Sequence, residues 1–309
     1  MADDRPAGGG NAPAFAIDGM TVTARPIEPG LHVVATPIGN LGDMTLRGLG
    51  TLAAADLIAC EDTRVTRILL DRYAISRPLI AYHEHNAAAQ RPRILAELAA
   101  GKAVALVSDA GTPLISDPGY RLAAAVIEAG FAVIPVPGAS AMLAALVASG
   151  LPTDAFYFAG FLPQKQGPRQ KRLAALKTVP GSLVVYESPR RLAACLADMA
   201  AVLGGDRSAA VARELTKTFE EMRRGTLAGL AAEYEGEETP KGEIVVVVGP
   251  PGEDAAPDAA DIDELLAGLL ETGSVRSAAD EAAALTGLPR RDLYQRALAL
   301  KNRDDDGGE

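Results

Sequence analysis

The sequence predicts two α/β domains followed by a small helical domain with a helix-turn-helix pattern. Its 309 residues are more than a single hydrophobic core usually holds. Short, continuously apolar runs alternate with helical patterns, which is typical of a parallel sheet covered on both faces. The composition, 48% hydrophobic and 23% charged, is that of a folded globular protein.

The first 29 residues are polar and rich in Gly and Pro, which predicts a disordered leader. The first α/β domain is expected over residues 30–150. Its strands follow from β-rich apolar runs, and its helices follow from apolar residues at helical spacing, such as Leu46, Leu49 and Leu52. In chain order, strands are expected at 31–36, 56–61, 78–83, 103–109 and 131–137, and helices at 45–55, 63–73, 88–100, 118–130 and 139–149.

The turn at residues 150–152, Gly-Leu-Pro, marks the expected boundary to a second α/β domain at 151–250. The same patterns predict strands at 156–161, 182–187, 208–214 and 243–249, and helices at 169–176, 189–203 and 227–234. The Pro- and Asp-rich stretch 251–261 is predicted to be a linker. Three short helices are expected over 262–301, the last two at helix-turn-helix spacing, before an acidic tail at 302–309.

Composition narrows the class of function. The two Cys can form neither a disulfide framework nor a four-Cys zinc site, and His83-Glu84-His85 lacks a further His or Cys nearby, so no metal is expected. Aromatic residues make up 4% of the chain and Trp is absent, which argues against a surface of many stacking aromatics. No apolar run reaches 18 residues, so a cytoplasmic protein without a membrane span is expected.

The net charge of −10 argues at first against a nucleic-acid partner, but the charge is unevenly distributed. Residues 160–191 carry seven basic side chains and one acidic side chain. This stretch is either a solvated helix face or an RNA-binding surface. The candidate RNA-binding residues are Lys165, Arg169, Lys171, Arg172, Arg190 and Arg191.

The loops that follow the strands are the candidate ligand sites, because ligands of α/β sheets bind beyond the carboxyl ends of the strands. In the first domain these loops are 36–42 (TPIGNLG), 108–119 (SDAGTPLISDPG) and 137–141 (PGASA). The first loop retains only a G-x-x-G spacing, so a dinucleotide site with Glu61 as the ribose acid is a weak interpretation. Asp109 and Ser140 can also be explained as turn and cap residues.

In the second domain, charged strand-end segments are the candidates: 186–191 (YESPRR), 213–217 (RELTK) and 240–243 (PKGE). Such segments serve either as structural ion pairs or as the lining of a binding site.

These motifs, together with ACEDTR, YHEHN, FAGFLP, ARELTKTFEE and KGEIVVVVG, resemble the tetrapyrrole methylase superfamily. More closely they resemble its ribosomal RNA branch, the small-subunit 2′-O-methyltransferases I. The resemblance covers roughly residues 30–250, and the helices that follow are similar to the helical domain of that branch.

The resemblance implies two α/β domains of the tetrapyrrole methylase type, also called class III S-adenosylmethionine (SAM) methyltransferases, with SAM bound between them, and a homodimer. The implied reaction methylates the ribose 2′-hydroxyl of a cytidine, cytidine 1402, in the decoding region of 16S rRNA. The substrate form is expected to be the 30S subunit. The implied cofactor residues are Pro37, Gly39, Val107, Ser108, Asp109, Leu114, Ser140, Ala141, Tyr186, Glu187, Leu215, Pro240, Gly242 and Glu243.

A ribose hydroxyl is a poor acid, so a nearby base or cation would assist its methylation. Position and charge suggest Glu187 as base or orienting group. They suggest Lys217 and Arg213 as cations that lower the pKa of the hydroxyl or hold phosphate.

Two alternatives remain. A methyltransferase acting on a corrin or porphyrin carbon would share the cofactor loops, although it would not need the basic stretch. A non-catalytic RNA-binding protein would use the basic stretch and the helix-turn-helix alone. The C-terminal helices suit RNA binding and packing equally well.

Overall fold

The computed structural model describes residues 12–115, 120–252, 259–270, 273–286 and 288–306. Its contacts divide the chain into two units. The first comprises Met1–Ala144 together with Glu214–Glu220, and the second comprises Ala145–Arg213 and Glu221–Glu309. The division therefore falls six residues before the boundary expected from sequence, and it assigns to the first unit a short segment that sequence analysis had placed in the second domain.

The first unit contains a five-stranded, fully parallel sheet in the order β5-β4-β6-β3-β7. Its elements are β1 (Ala14–Ile17), β2 (Met20–Thr23), β3 (Gly30–Val34), α1 (Leu46–Ala54), β4 (Leu57–Cys60), α2 (Thr63–Arg72), β5 (Leu79–Ala81), α3 (Ala87–Ala99), β6 (Ala103–Val107), α4 (Tyr120–Glu128), β7 (Val133–Val136) and the first residues of α5 (Ala141–Ser149).

Alternating side chains of the central strand β6 enter two separate cores, as the period of two requires. Ala105 and Val107 pack in a core with α1 and α2 on one face of the sheet. Val104 and Leu106 pack in a core with α3 and α4 on the other face. Both faces are thus covered, and this is why the strands are apolar throughout.

The expected disordered leader is wrong for residues 14–23, where β1 and β2 form an antiparallel hairpin. Asp18 and Gly19 both have positive φ, which is the geometry of a two-residue hairpin turn and a known preference of Asp-Gly. The hairpin is anchored because Phe15 is buried in the core beside α1 and the Ala16 N–H donates to the Tyr73 carbonyl (2.8 Å). Residues 1–11 lie outside the described part of the chain.

The second unit contains a mixed sheet in the order β11-β10-β12-β9-β8. Only β8 and β9 are parallel, and the other neighbours are antiparallel. The elements are β8 (Phe156–Phe161), α6 (Gln166–Ala174), β9 (Ser182–Glu187), α7 (Leu192–Leu203), β10 (Ser208–Arg213), β11 (Glu221–Thr226), α8 (Leu227–Glu235), β12 (Ile244–Val248), α9 (Ala259–Leu270), α10 (Val275–Thr286) and α11 (Arg290–Asp306).

Helices α9 to α11 share a small core of their own, built around Leu266, Ala282 and Leu293. The expected three helices are present, but α11 continues to Asp306, so the predicted tail is helical as far as that residue. Residues 253–258 of the expected linker and residue 287 of the expected turn lie outside the described ranges.

A buried ion pair joins α6 to α7. Asp198 accepts hydrogen bonds from Arg169 (2.6 Å), Gln166 (3.1 Å) and Gln170 (2.8 Å), and the Arg169 and Asp198 side chains are 6% and 4% exposed. Burial opposes ionisation of Asp198, but these three donors outweigh it and lower its pKa. The charged form therefore stabilises the folded state at pH values above the ordinary carboxyl range.

We expect Asp198→Ala to lower the free energy of unfolding by about 3 kcal/mol, because it leaves the Arg169 cation buried and unpaired. Urea unfolding followed by circular dichroism measures this. In the wild type, the contribution of Asp198 should disappear as the pH falls below the ordinary carboxyl pKa and through its lowered value. Asp280→Ala, which removes an exposed partner of Arg290, is the matched control and should leave stability unchanged. An Asp198→Ala protein as stable as this control would contradict the assignment.

Candidate active site

The loops that follow β3 and β6 are joined directly to each other in the first unit. Thr36 and Gly111 exchange two backbone hydrogen bonds, of 2.9 and 3.0 Å. The buried Thr36 hydroxyl also donates to the Ser108 carbonyl (3.1 Å). Gly111 has a φ of +77°, which lets the chain turn back after β6 to make this contact. The expected cofactor residues Pro37, Gly39, Val107, Ser108 and Asp109 belong to these two strand ends.

The third expected loop joins the same cluster. The Thr112 hydroxyl donates to the Ala139 carbonyl (3.2 Å), immediately before Ser140 and Ala141. At Gly138 a Cβ atom would lie 3.0 Å from the Cβ of Ala35, so any larger residue would crowd this close approach of the two loops. The loops after β3, β6 and β7 therefore form one group, which we call the strand-end cluster. It comprises residues 35–42, 108–114 and 137–141.

The segment Glu214–Glu220 completes the strand-end cluster from a distant part of the sequence. The Asn40 N–H donates to the Thr216 hydroxyl (3.1 Å). The side chain of Lys217 covers Gly39 so closely that a Cβ atom on Gly39 would collide with it. Lys217 also forms an ion pair with Glu214 (2.6 Å). Lys217, one of the expected site residues, thus contacts the loop that carries Pro37 and Gly39, and Leu215 belongs to the same segment.

Three carboxyl groups, those of Glu61, Asp62 and Asp109, follow the adjacent strands β4 and β6. Asp109 is exposed as a residue, but its carboxylate accepts the Asp62 N–H (3.0 Å), and partial desolvation raises its pKa. Partial desolvation also raises the pKa of Glu61, and the charge of Asp109 adds to this effect. A hydrogen bond from the Arg64 side chain instead lowers the pKa of Asp62 to about 2. The site therefore offers acceptors suited to hydroxyl or ammonium groups of a ligand.

Leu114 lies within the strand-end cluster in the left-handed region, with a φ of +75°. This conformation is unusual for a residue with a side chain, and such strain is often found at binding sites. Residues 116–119 of the expected loop lie outside the described residues.

In the second unit, the expected residues lie at one end of the strands of the mixed sheet. Tyr186 and Glu187 end β9, Arg213 ends β10, and Gly242 and Glu243 lead into β12. Because β12 is antiparallel to both neighbours, its start lies beside their ends, with Ile244 paired to both Glu187 and Arg213. Pro240 belongs to the same approach to β12.

Glu187 is 2% exposed, and both of its carboxylate oxygens are engaged. Oε1 accepts the Ser188 N–H (2.6 Å) and Oε2 accepts from Arg191 (2.8 Å). This geometry suits an orienting group and does not suit a base that must take up a proton. Arg213 is likewise paired, with Glu221 (2.9 Å), and donates to the Lys241 carbonyl (3.3 Å).

Two of the six expected RNA-binding residues are committed to the fold. Arg169 is buried against Asp198, so its assignment to RNA binding is wrong. Arg191 donates to Glu187 and to the Leu162 carbonyl (2.8 Å). Lys165, Lys171, Arg172 and Arg190 are exposed. Arg172 also donates to the Tyr157 hydroxyl (2.9 Å) and lies near its ring.

Sequence reasoning missed Thr36, Asn40 and Thr216 as organisers of the site. Thr36 and Asn40 were visible as members of the first loop. No local signal links either of them to Thr216, which is 176 residues from Asn40. Among the described residues, no group of His, Cys, Asp and Glu could hold a metal ion, and no helix is long and apolar enough to cross a membrane.

This chain is similar to known methyltransferases in sequence and in fold. A protein of Mesorhizobium japonicum named ribosomal RNA small subunit methyltransferase I is 60% identical over 93% of this chain and 97% of its own length. Among solved structures, cobalt precorrin-4 methyltransferase aligns with a TM-score of 0.56 at 17% identity, covering 71% of this chain and 94% of its own. The uroporphyrin-III C-methyl transferase of Thermus thermophilus, complexed with S-adenyl homocysteine, aligns with a TM-score of 0.51 at 18% identity, covering 71% and 96%. At such identities the two structures show the fold alone.

Two protein families match the chain. The family described as Tetrapyrrole (Corrin/Porphyrin) Methylases matches residues 30–231, and the family described as RsmI C-terminal HTH domain matches residues 256–301. The first match includes the strand-end cluster, the segment Glu214–Glu220 and most of the second unit's sheet. The chain therefore belongs to the tetrapyrrole methylase family.

Proposed function

We propose that this chain is a SAM-dependent methyltransferase that methylates the ribose 2′-hydroxyl of a cytidine, cytidine 1402, in the decoding region of 16S rRNA. The observation that carries the proposal is the 60% identity to the Mesorhizobium protein over nearly the full length of both chains. The helical domain adds support, because it matches the family described as RsmI C-terminal HTH domain.

The strand-end cluster fits SAM by its donor set and its backbone. Glycines and alanines at positions 39, 110, 111 and 139 add little side-chain bulk to the cluster, which leaves room for a ligand beside the strand ends. The Asp109 carboxylate can accept from a ribose hydroxyl or an ammonium group, and the nearby acidic groups favour a cation. When bound, SAM supplies a methyl group on a positively charged sulfur. Tyr186, Pro240, Gly242 and Glu243 of the second unit are proposed for the adenine side.

Alignment and electrostatics are what the chain's own residues contribute to this reaction. Lys217 is proposed to hold positive charge close to the reacting 2′-hydroxyl and to stabilise the oxyanion as its proton leaves. Its stem packs on Gly39, and its pair with Glu214 fixes the direction of the side chain. Glu187 and Arg213 are proposed to act indirectly, by holding the ends of β9 and β10 in the mixed sheet in place.

The RNA surface is proposed to include Lys165, Lys171, Arg172 and Arg190, all exposed in the second unit. An enzyme that acts in the decoding region would recognise folded RNA, since RNA recognition depends on shape, and we therefore propose the 30S subunit as substrate. We also propose a cytoplasmic location, because that is where 30S subunits are found.

A homodimer is also proposed. Helix α5 is apolar at every position before its last residue, Ser149, yet Leu143 is 44% and Val147 is 73% exposed, and Ile127 on α4 is 64% exposed. A helix that is apolar all round is normally buried, so a second copy of the chain would account for these surfaces.

A tritiated-methyl transfer assay tests the proposal. Purified protein and labelled SAM are incubated with 30S subunits, free 16S rRNA or a porphyrinoid precursor, followed by nucleoside analysis. We expect label in 2′-O-methylcytidine from 30S subunits. Label in the porphyrinoid alone would replace the proposal by the tetrapyrrole alternative. SAM-independent RNA binding without transfer would indicate the non-catalytic alternative.

We expect Glu187→Gln to lower kcat without changing the shape of its pH profile, because Glu187 positions Arg191 and Ser188 and does not take up the proton. Turnover with 30S subunits between about pH 6 and pH 9, a range set by groups that titrate near neutrality, measures this. Loss of the acidic limb of the profile would instead identify Glu187 as the base.

We expect the triple variant Lys165→Ala, Lys171→Ala, Arg172→Ala to raise KM for 30S subunits. The plot of log binding constant against log salt concentration should become less steep, by the amount expected for the loss of about three phosphate contacts. SAM affinity should not change, because these residues lie on α6 or just before it. The matched control removes basic charge from an exposed position of the first unit by Arg93→Ala. If the triple variant binds RNA like this control, the basic stretch is only a solvated face.

A further inference from the structure

Phe219 is 72% exposed, more than any other Phe or Tyr that the structure describes. It lies in the segment Glu214–Glu220, which connects the end of β10 to the start of β11. Exposing most of a phenylalanine ring to water is unfavourable, and the cost in free energy grows with the apolar area that is exposed. An isolated exposed apolar residue needs no explanation by itself. Phe219 differs because its loop is held in a defined shape and contacts the strand-end cluster.

The segment holds Phe219 by a specific backbone conformation. Glu214 and Thr216 have φ values of +52° and +66°, in the left-handed region that residues with side chains rarely occupy. Three hydrogen bonds fix this shape: Lys217 N–H to the Glu214 carbonyl (3.0 Å), Glu220 N–H to the Lys217 carbonyl (3.1 Å), and Thr216 N–H to the Glu220 carboxylate (2.5 Å). Strain of this kind persists only where surrounding contacts impose it, so the ring is presented by a defined loop.

The same loop lies against the strand-end cluster. The Asn40 N–H donates to Thr216, and the Lys217 side chain covers Gly39. Phe219 follows Lys217 by two positions. The exposed ring is therefore attached to the loop that borders the proposed SAM site and carries the proposed cation.

We infer that Phe219 stacks on an unpaired nucleobase of the RNA at the target site and so positions the ribose for methylation. The inference rests on the proposed function. Sequence-specific recognition of RNA targets nucleotides whose bases are unstacked, and aromatic side chains replace the lost stacking. Every base offers a flat face to a ring, so one exposed phenylalanine serves this purpose without a surface of many aromatics.

The first experiment is steady-state kinetics on 30S subunits that lack the ribose methyl group. Phe219→Ala should lower kcat/KM about 10- to 100-fold, the range expected for loss of one base–aromatic contact, while the Kd for SAM stays within about twofold. Phe219→Tyr should keep most of the activity. The matched control is Ile68→Ala on α2, which removes another exposed apolar side chain of the same unit, 64% exposed, and should behave as wild type.

The second experiment uses the absence of Trp from the chain. Phe219→Trp introduces the chain's only tryptophan, which can be excited at wavelengths where tyrosine does not absorb, and Ile68→Trp does the same at the control position. A fragment of 16S rRNA that folds as the decoding region should quench the fluorescence at position 219 and leave the control unchanged. RNA carries no tryptophan of its own, so the signal reports the protein ring directly.

The outcomes distinguish failure of the stacking role from failure of the proposed methyltransferase function. If wild type methylates 30S subunits but Phe219→Ala matches Ile68→Ala, the stacking role is overturned. Equal quenching at both tryptophans, or dissociation of a dimer by Phe219→Ala in light scattering, overturns it as well. If wild type methylates no RNA, the proposed function fails, and selective quenching at position 219 would still support stacking on a base.

Discussion

The pairing of Thr36 with Gly111 is the contact on which the arrangement of the proposed site depends. These residues follow β3 and β6, two adjacent strands in the middle of the parallel sheet. Two main-chain hydrogen bonds and the buried Thr36 hydroxyl hold the two loops as one body. Ala139 joins this body through Thr112, and Thr216 joins it through Asn40. The sheet fixes where the strands end, and this small set of polar contacts fixes where their loops go.

The charged residues of the second unit divide into two groups with different tasks. Arg169, Arg191 and Arg213 are paired with carboxylates and hold helices and strand ends together. Arg207 is buried and donates to the Gly249 carbonyl (2.6 Å), and burial lowers its pKa to about 10. The exposed basic residues are fewer than the sequence suggests. A count of charges therefore overstates the surface available for RNA.

Much of the fold was predictable because the apolar runs are long enough to mark buried strands. The predictions for 156–161 and 182–187 coincide with β8 and β9. Strand β11 was missed because its sequence, EMRRGT, is polar, as an edge strand can be when Arg213 and Arg223 neutralise Glu221. The β1–β2 hairpin was missed although Asp18-Gly19 is a strong turn signal, because the surrounding Gly and Pro indicated disorder.

The site was predictable only in part. Strand-end loops of the first unit could be identified because parallel strands end at one edge of a sheet. Burial of Arg169 could not, because it depends on Asp198, a partner brought near by the fold. The double engagement of Glu187 involves its sequence neighbours Ser188 and Arg191, and it depends on how the chain turns after β9. The link between Asn40 and Thr216 is the extreme case, since no pattern within a loop reports a contact made so far along the chain.

That link has a consequence for the order in which the protein is made. Ribosomes synthesise the chain from its amino end, so the strand-end loops emerge long before residue 216. Residues 36–42 must wait for 176 further residues before the hydrogen bond from Asn40 can form. The first unit therefore reaches its final form only after β10 of the second unit has been translated. The parallel sheet can therefore form early during synthesis, whereas the strand-end cluster is completed late.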